Sequence, residues 1–404
     1  MARTNSVKNR ESLNTTQKVL LIIMMVVGAA FFVMLIMVDA FPTNMVIGFI
    51  ILLAVLLGLA VLLFTRKKLW IKRCGIIISI LFVVIYGLGT YYLASTYAMF
   101  ARISVEDDGK TTSQINVTED SFNVYVTGID QWNKEKGLDL ERSDVNMIVT
   151  VCPKTRKIIL TSIPRDTYVK LHTAQKMDKL THTGVYGVDE TINTVNDWLG
   201  VDMNYYLKAN FSAFVKVVRA IGGIDIYSPY AFKSSISRYK FKKGWIHLGG
   251  RRALYYARER KAFNDEDSKR VENQQIVVKA ILDKMMSSTT LLTSYGDILK
   301  AAGDSLETNM SSKDMQALVK MQLSDLGKWN IETQKLEGEY DMDYVASLTQ
   351  EQKFLVYKAD KKSFKNIKEK IQKTMNPTVA EVSKATADRQ KNTAFLFLKG
   401  LFSK

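Results

Sequence analysis

Two groups of charged residues have the types and spacing that chemistry on a phosphate needs. The first surrounds two short apolar runs, 146–152 and 158–163, joined by Pro153-Lys-Thr-Arg-Lys157. Runs of this kind about a turn-rich linker predict an antiparallel hairpin, whose open end gathers residues distant in sequence. Counting outward from Thr155, Asp144 and Asp166 stand equally far along the two strands, with Arg142 and Arg165 beside them. A preceding alternating strand, 122–127, delivers Asp130 just past Gly128 at its own end. A few carboxylates, completed by water and phosphate oxygens, are the ligands that Mg²⁺ takes. Surface ion pairs among the same residues would explain the group equally well.

The second group is Arg258-Glu-Arg260 followed by Asp267-Ser-Lys-Arg-Val-Glu-Asn-Gln274. Arg258 and Arg260 share a face only where the chain is extended. Arg270 and Gln274 share a face on a helix. An apolar stripe through Val271, Val278, Ile281, Leu282 and Met285 predicts that helix, capped by Ser268 or Asp267, and Gln274 falls on the stripe as a polar group aimed inward. Guanidiniums recognise phosphate oxygens through paired donors, and several held together without an anion repel one another. A solvated basic face is the plain alternative. His172, His182 and His247 lack metal-ligand spacing with each other or with Cys74 and Cys152, which disfavours zinc, and two cysteines make no disulfide framework. No serine nucleophile elbow, Walker loop or dinucleotide fingerprint is present.

The elements that must position these residues begin with a membrane anchor. Of 404 residues, 47% are hydrophobic, and the formal charge of +16 directs the chain toward anionic partners: headgroups, polyanionic glycans or phosphorylated ligands. Apolar stretches at 19–38, 45–64 and 75–93 each approach the ~20 residues a helix needs to cross a bilayer. The leader carries Arg3, Lys8, Arg10 and Lys18, the second link is basic, and the first link, 39–44, has no basic residue. Every loop therefore agrees with a cytoplasmic N-terminus and an external region after about residue 95. That topology disfavours nucleic acid as a partner of the large domain, and the further spans argue against a cleaved signal peptide.

The expected order is a cytoplasmic leader (1–18), three transmembrane helices (19–95), an extracellular stalk (96–120), a catalytic domain (121–285), a helical C-terminal part (286–375) and a mobile tail (376–404). The hairpin, a helix at 189–199 stopped by Gly200, a strand at 205–209, a helix at 212–221 ended by Gly222-Gly223 and a strand at 224–227 indicate an α/β or α+β sandwich, a mixed sheet flanked by helices.

Read in order, Arg142-Ser-Asp144, Ser162-Ile-Pro-Arg-Asp166, Phe211-Ser-Ala-Phe-Val-Lys216 with Gly222-Gly-Ile-Asp225, and Leu248-Gly-Gly-Arg-Arg-Ala-Leu-Tyr-Tyr-Ala-Arg-Glu-Arg260 resemble the LytR-CpsA-Psr family over about 122–282. Its members are cell-envelope enzymes of Gram-positive bacteria, some with three spans. The resemblance implies a phosphotransferase that moves a glycopolymer, such as capsule or teichoic acid, from undecaprenyl pyrophosphate to a peptidoglycan sugar hydroxyl with Mg²⁺. It implies that Asp130 and Asp144 hold the metal, that Arg142, Arg165, Arg258, Arg260, Arg270 and Gln274 hold the pyrophosphate, and that Asp144, Arg165 and Asp166 form the catalytic set. Asn273 departs from the pattern, standing where many members carry arginine. A non-catalytic polymer-binding or attenuator-like regulatory protein would keep the arginines without needing the aspartates. A polyprenyl-pyrophosphate hydrolase would differ only in the acceptor.

Overall fold

The computed structural model describes residues 13–103, 115–129, 143–263, 266–287, 290, 294–302, 306–325, 327–348 and 351–402. Its contacts divide the chain into two units, Met1–Ala98 and Met99–Lys404. The apolar stretches form α1 (Thr15–Val38), α2 (Thr43–Phe64) and α3 (Leu69–Ile103), each containing a segment long and apolar enough to cross a membrane. Asn14 starts α1 with a reciprocal cap, its side chain accepting from the Gln17 amide at 2.9 Å while Gln17 accepts from its own amide at 3.1 Å. Small residues let the helices approach: a Cβ on Gly28 would lie 2.6 Å from Leu53 Cδ1, and one on Gly89 2.9 Å from Phe31 Cε2. Helix α3 starts earlier than its apolar run, taking in Lys72 and Arg73, and continues into the expected stalk. Hydropathy marks where a helix can enter lipid, whereas backbone hydrogen bonding decides where it ends.

The second unit contains, in order, β1 (Phe122–Ile129), β2 (Ser143–Cys152), β3 (Lys157–Ser162), β4 (Tyr168–Lys170), β5 (Met177–Lys179), α4 (Leu180–Thr183), α5 (Val188–Leu199), β6 (Tyr205–Asn210), α6 (Phe211–Ala220), β7 (Ile224–Ser228), β8 (Phe232–Lys233), β9 (Lys240–Phe241), β10 (Gly244–Leu248), α7 (Gly250–Arg258) and α8 (Glu266–Met285). It continues through α9 (Tyr295–Ala302), β11 (Leu306–Thr308), α10 (Ser312–Asp325), β12 (Asn330–Lys335), β13 (Gly338–Asp343), β14 (Phe354–Ala359), α11 (Lys361–Met375) and α12 (Val379–Phe402). The main sheet has the order β11-β6-β1-β2-β3-β12. β1 is parallel to β6 and β3 to β12, and the other pairs are antiparallel. Hence the C-terminal ends of β1, β3, β6 and β12 and the start of β2 emerge on one edge.

Alternation along the strands supplies a core on each face. Met147, Val149 and Val151 pack with Val278 and Leu282 of α8 and Leu318 of α10, while Tyr125, Ile148 and Tyr206 pack with Val195 and Leu199 of α5 and Ile367 and Ile371 of α11. This is the expected mixed sheet between helical layers.

Three boundaries differ from expectation. Residues 115–120, assigned to the stalk, already join the domain, with Val117 buried beside Phe122. The part expected to be helical, 286–375, contributes β11 and β12 to the two edges of the main sheet and adds the β13-β14 hairpin. Edge strands with polar outward residues, such as Asn330-Ile-Glu-Thr-Gln-Lys335, carry too little apolar alternation to stand out. The tail expected to be mobile forms α12, started by Thr378 and Glu381: the Thr378 hydroxyl accepts from the Glu381 amide at 3.2 Å, and Glu381 accepts from the Thr378 amide at 2.9 Å. That Thr-x-x-Glu cap was readable in the sequence.

The turn from β10 into α7 uses Gly249-Gly250 because α6 passes close by: a Cβ on Gly250 would overlap the Val215 carbonyl. Gly250→Ala is expected to destabilise the protein by about 1–3 kcal/mol. Thermal unfolding of the full chain in detergent measures this as a lower midpoint.

Candidate functional site

The shared sheet edge brings the first charged group together, with a register that counting from Thr155 misses. β2 and β3 close on Cys152 and Lys157, and Met147 faces Ser162. The midpoint of the turn thus lies before Thr155, and the register continued past the strand ends sets Asp144 across from Arg165 rather than Asp166. Arg165 Nη1 donates to Asp144 Oδ1 at 2.6 Å, and its Nε lies 3.5 Å from Asp166 Oδ2. Lys179 Nζ approaches Asp166 Oδ1 at 3.1 Å. Asp166 thus stands behind Arg165, holding it, whereas Asp144 and Arg165 line a cleft of about 330 Å³. Asp130 and Arg142 lie outside the described residues.

The start of β2 is fixed by a buried network. Tyr125 Oη donates to Asn146 Oδ1 at 2.5 Å, Ser143 Oγ donates to the same oxygen at 2.8 Å, and Thr181 Oγ1 donates to the Ser143 carbonyl at 2.8 Å. Burial pushes the Tyr125 phenol up, so it stays a neutral donor. The strand end bearing Asp144 is thereby tied to β1 and α4.

The second group reaches the same cleft. Helix α7 ends on Arg258, and Glu259 leaves it with extended backbone, φ −69° and ψ 131°. That single extended residue lets Arg258 and Arg260 both face the cleft while Glu259 turns into the protein, fully buried. Its carboxylate accepts from the Ser235 amide and hydroxyl, both at 2.7 Å, and from the Arg260 and Ala262 amides, both at 3.2 Å. Burial alone would raise its pKa, but these bonds, with one from Ser234, outweigh it and hold the carboxyl below the usual glutamate range. The bonds also clamp the β8-β9 connection, so that Ser235 and Ile236 form a wall of the cleft. Arg258 lies over the Phe211 ring, 4.1 Å from its centroid, a contact that orients a guanidinium without consuming its donors.

From α8, Arg270 and Gln274 complete the lining. Gln274 is only partly buried, so the inward polar residue expected there is corrected to its neighbours, Asn273 and Gln275. Gln275 donates to Ser162 Oγ at 3.0 Å and to the Gln334 carbonyl at 2.6 Å, pinning α8 across β3 and β12. Helix α8 is covered on two sides, by the sheet and by the α6-α7 layer, so one apolar stripe could not identify its buried positions.

The structure therefore gathers Asp144, Arg165, Arg258, Arg260, Arg270 and Gln274 around one cleft, joined by Lys261 and Phe211. Glu259, Lys261 and Phe211 are not assigned to the site by the sequence alone, and of these Glu259 had a readable signal. That signal is the extended Arg-Glu-Arg alternation, which sends the middle side chain the opposite way. Among the described residues no group of three potential metal ligands stands together, and the cleft offers one carboxylate, Asp144. Because Mg²⁺ keeps several waters and uses one or two carboxylates beside phosphate oxygens, that donor set is compatible with it. Chemically, the arrangement is a concave surface of guanidiniums around one carboxylate, suited to a multiply charged phosphate.

Comparisons with known proteins point the same way. The model of the LytR_cpsA_psr family matches residues 90–373. The polyisoprenyl-teichoic acid–peptidoglycan teichoic acid transferase TagU of Bacillus licheniformis is 31% identical over 320 residues, covering 77% of this chain and 98% of that protein. The crystal structure of B. subtilis TagV superposes with a TM-score of 0.53 at 28% identity, covering 64% of this chain and 99% of TagV. The structure of TagT bound to LIIa-WTA gives 0.54 at 27% identity, covering 68% and 99%.

Proposed function

The chain belongs to the LytR-CpsA-Psr family, and from that premise we propose that it transfers an anionic glycopolymer from a polyprenyl pyrophosphate to a sugar hydroxyl of peptidoglycan. The observation that carries this reading is the convergence of Arg165, Arg258, Arg260 and Arg270 with Asp144 on one cleft. The relatives' names supply the substrate class, a polyisoprenyl-linked teichoic acid and a peptidoglycan.

In this reading the pyrophosphate lies among the guanidiniums, which neutralise its charge and fix the glycan-side phosphorus. The acceptor oxygen forms a bond to that phosphorus, and the bridging P–O bond breaks. Polyprenyl phosphate departs with the electron pair, and the acceptor's proton passes to Asp144 and then to solvent. Positioning and charge stabilisation carry phosphoryl transfer, and fixed donors supply both. Mg²⁺, held by Asp144 with Asp130, would add further neutralisation at the phosphate oxygens. The anchor's charge pattern supports an outer-surface location for this chemistry, where lipid-borne donor and wall acceptor would meet.

Full-length protein in detergent, given Mg²⁺, a polyprenyl-pyrophosphate glycan and peptidoglycan oligosaccharide, is expected to form glycan-linked phosphodiester, and EDTA should stop it. Release of lipid phosphate without the linked product would mean hydrolysis, and binding without turnover would mean a non-catalytic role. For orientation, a reporter fused after Ile103 should read as external. A cytoplasmic signal would remove the domain from its acceptor.

A further inference from the structure

Arg165 and Arg270 separate two clefts. Beside the arginine-lined one lies a second, of about 210 Å³, bounded by those two residues, Pro164, Ser268, Lys335, Glu337 and the ring of Tyr340. It exists because β12 runs parallel to β3, so both strands end together, and because the Tyr357 amide donates to the Asp166 carbonyl at 2.8 Å, drawing the β13-β14 hairpin against the site.

We propose that this second cleft is the subsite for the acceptor, binding one neutral sugar ring and presenting its hydroxyl to the phosphate held between Arg165 and Arg270; this rests on the transferase reading above. Charge separates the two clefts. The first adds Arg258, Arg260 and Lys261 to the shared pair. The second adds only Lys335, which is balanced: its Nζ lies 3.5 Å from Glu337 Oε1 and 3.7 Å from Glu272 Oε1, and donates to Ser268 Oγ at 2.8 Å. Beyond the two shared guanidiniums, which are directed to the phosphate in the reading above, the second cleft offers one ammonium, one carboxylate and one hydroxyl, a mixture that matches a polyol's donors and acceptors.

Tyr340 supplies the apolar part. It is 41% exposed and packs edge-on against Tyr357 with centroids 5.1 Å apart, so its ring stays presented at the cleft. Such a ring covers the C–H face of a pyranose, while Glu337 and Lys335 reach its hydroxyls. The volume admits a single ring and leaves the remaining glycan outside. Two clefts meeting at the same guanidiniums bring nucleophile and phosphorus together from different sides, which displacement at phosphorus requires.

The test is steady-state kinetics of the full-length protein in detergent with a purified donor and a soluble peptidoglycan tetrasaccharide as acceptor probe. Tyr340→Ala is expected to raise KM for the tetrasaccharide about tenfold, the size of one lost aromatic contact, with KM for the donor within about twofold of wild type. Glu337→Ala, an exposed change that leaves the hairpin's packing intact, should move acceptor KM in the same direction. Unchanged acceptor KM in both variants, or a rise confined to the donor, overturns the assignment. A wild-type protein that forms no linked product sinks the transferase reading and this subsite together, whereas normal product with unchanged acceptor KM sinks the subsite alone.

Discussion

Arg165→Ala is expected to lower polymer transfer by about a thousandfold or more, the loss seen when a charge-stabilising arginine is removed from phosphoryl transfer. Arg165 contacts Asp144 at 2.6 Å and Asp166 at 3.5 Å, and lines both clefts at the sheet edge. Its removal would leave a substrate phosphate uncompensated and release the carboxylate that one of its donors orients. Arg165→Lys should recover little, because an ammonium cannot reproduce donors directed at Asp144, Asp166 and a phosphate together. The measurement is the initial rate of glycan-linked product, with unfolding followed in parallel. The pair is part-exposed, with side-chain exposures of 31% and 27%, so the midpoint should move little. A variant with wild-type transfer would exclude this cleft as the reaction centre.

Glu259→Ala should have the largest effect on stability of any change near the site, about 2–4 kcal/mol, because it strands amide and hydroxyl donors around a fully buried position. Activity should fall as well, since the same carboxylate fixes the bend that turns Arg258 and Arg260 toward the cleft. Glu259→Gln, keeping one acceptor oxygen, should lie between. The pH dependence has a definite sign. The folded carboxyl is held below its ordinary value of 4.5, so its contribution is complete above that pH and is lost as pH falls through the lowered folded value. Wild type and Glu259→Gln should therefore differ most at neutral pH and converge only in acid. A gap that stays constant down to the lowest pH at which the fold survives would show that the carboxylate's charge is not what holds the bend.

The parts of the protein that were legible in the sequence share one physical basis, local periodicity. The three apolar helices, the β2-β3 hairpin, the Gly200 stop of α5 and the Gly222-Gly223 end of α6 depend on neighbours within a few residues. Register and burial do not share that basis. A half-residue error in the turn centre set Asp144 against Asp166, and only the pairing of Cys152 with Lys157 shows that Arg165 takes that place. A single apolar stripe sets Gln274 inward, whereas two layers cover α8 and bury Asn273 and Gln275 instead. The edge strands β11 and β12 escaped notice because an edge strand satisfies its backbone against the sheet while its side chains stay polar.

The sequence by itself determined the three helices long and apolar enough to cross a membrane, the kind of sheet and which charged side chains are available for phosphate, since hydropathy, alternation and residue type are local properties. Only the tertiary structure decided which of them meet. Asp144 and Arg165 are joined by strand register, and Arg258 and Arg260 by one extended residue whose carboxylate is satisfied at Ser235. The second cleft is built by a strand and hairpin from far along the chain, because contact between distant segments depends on packing and pairing that no local pattern encodes.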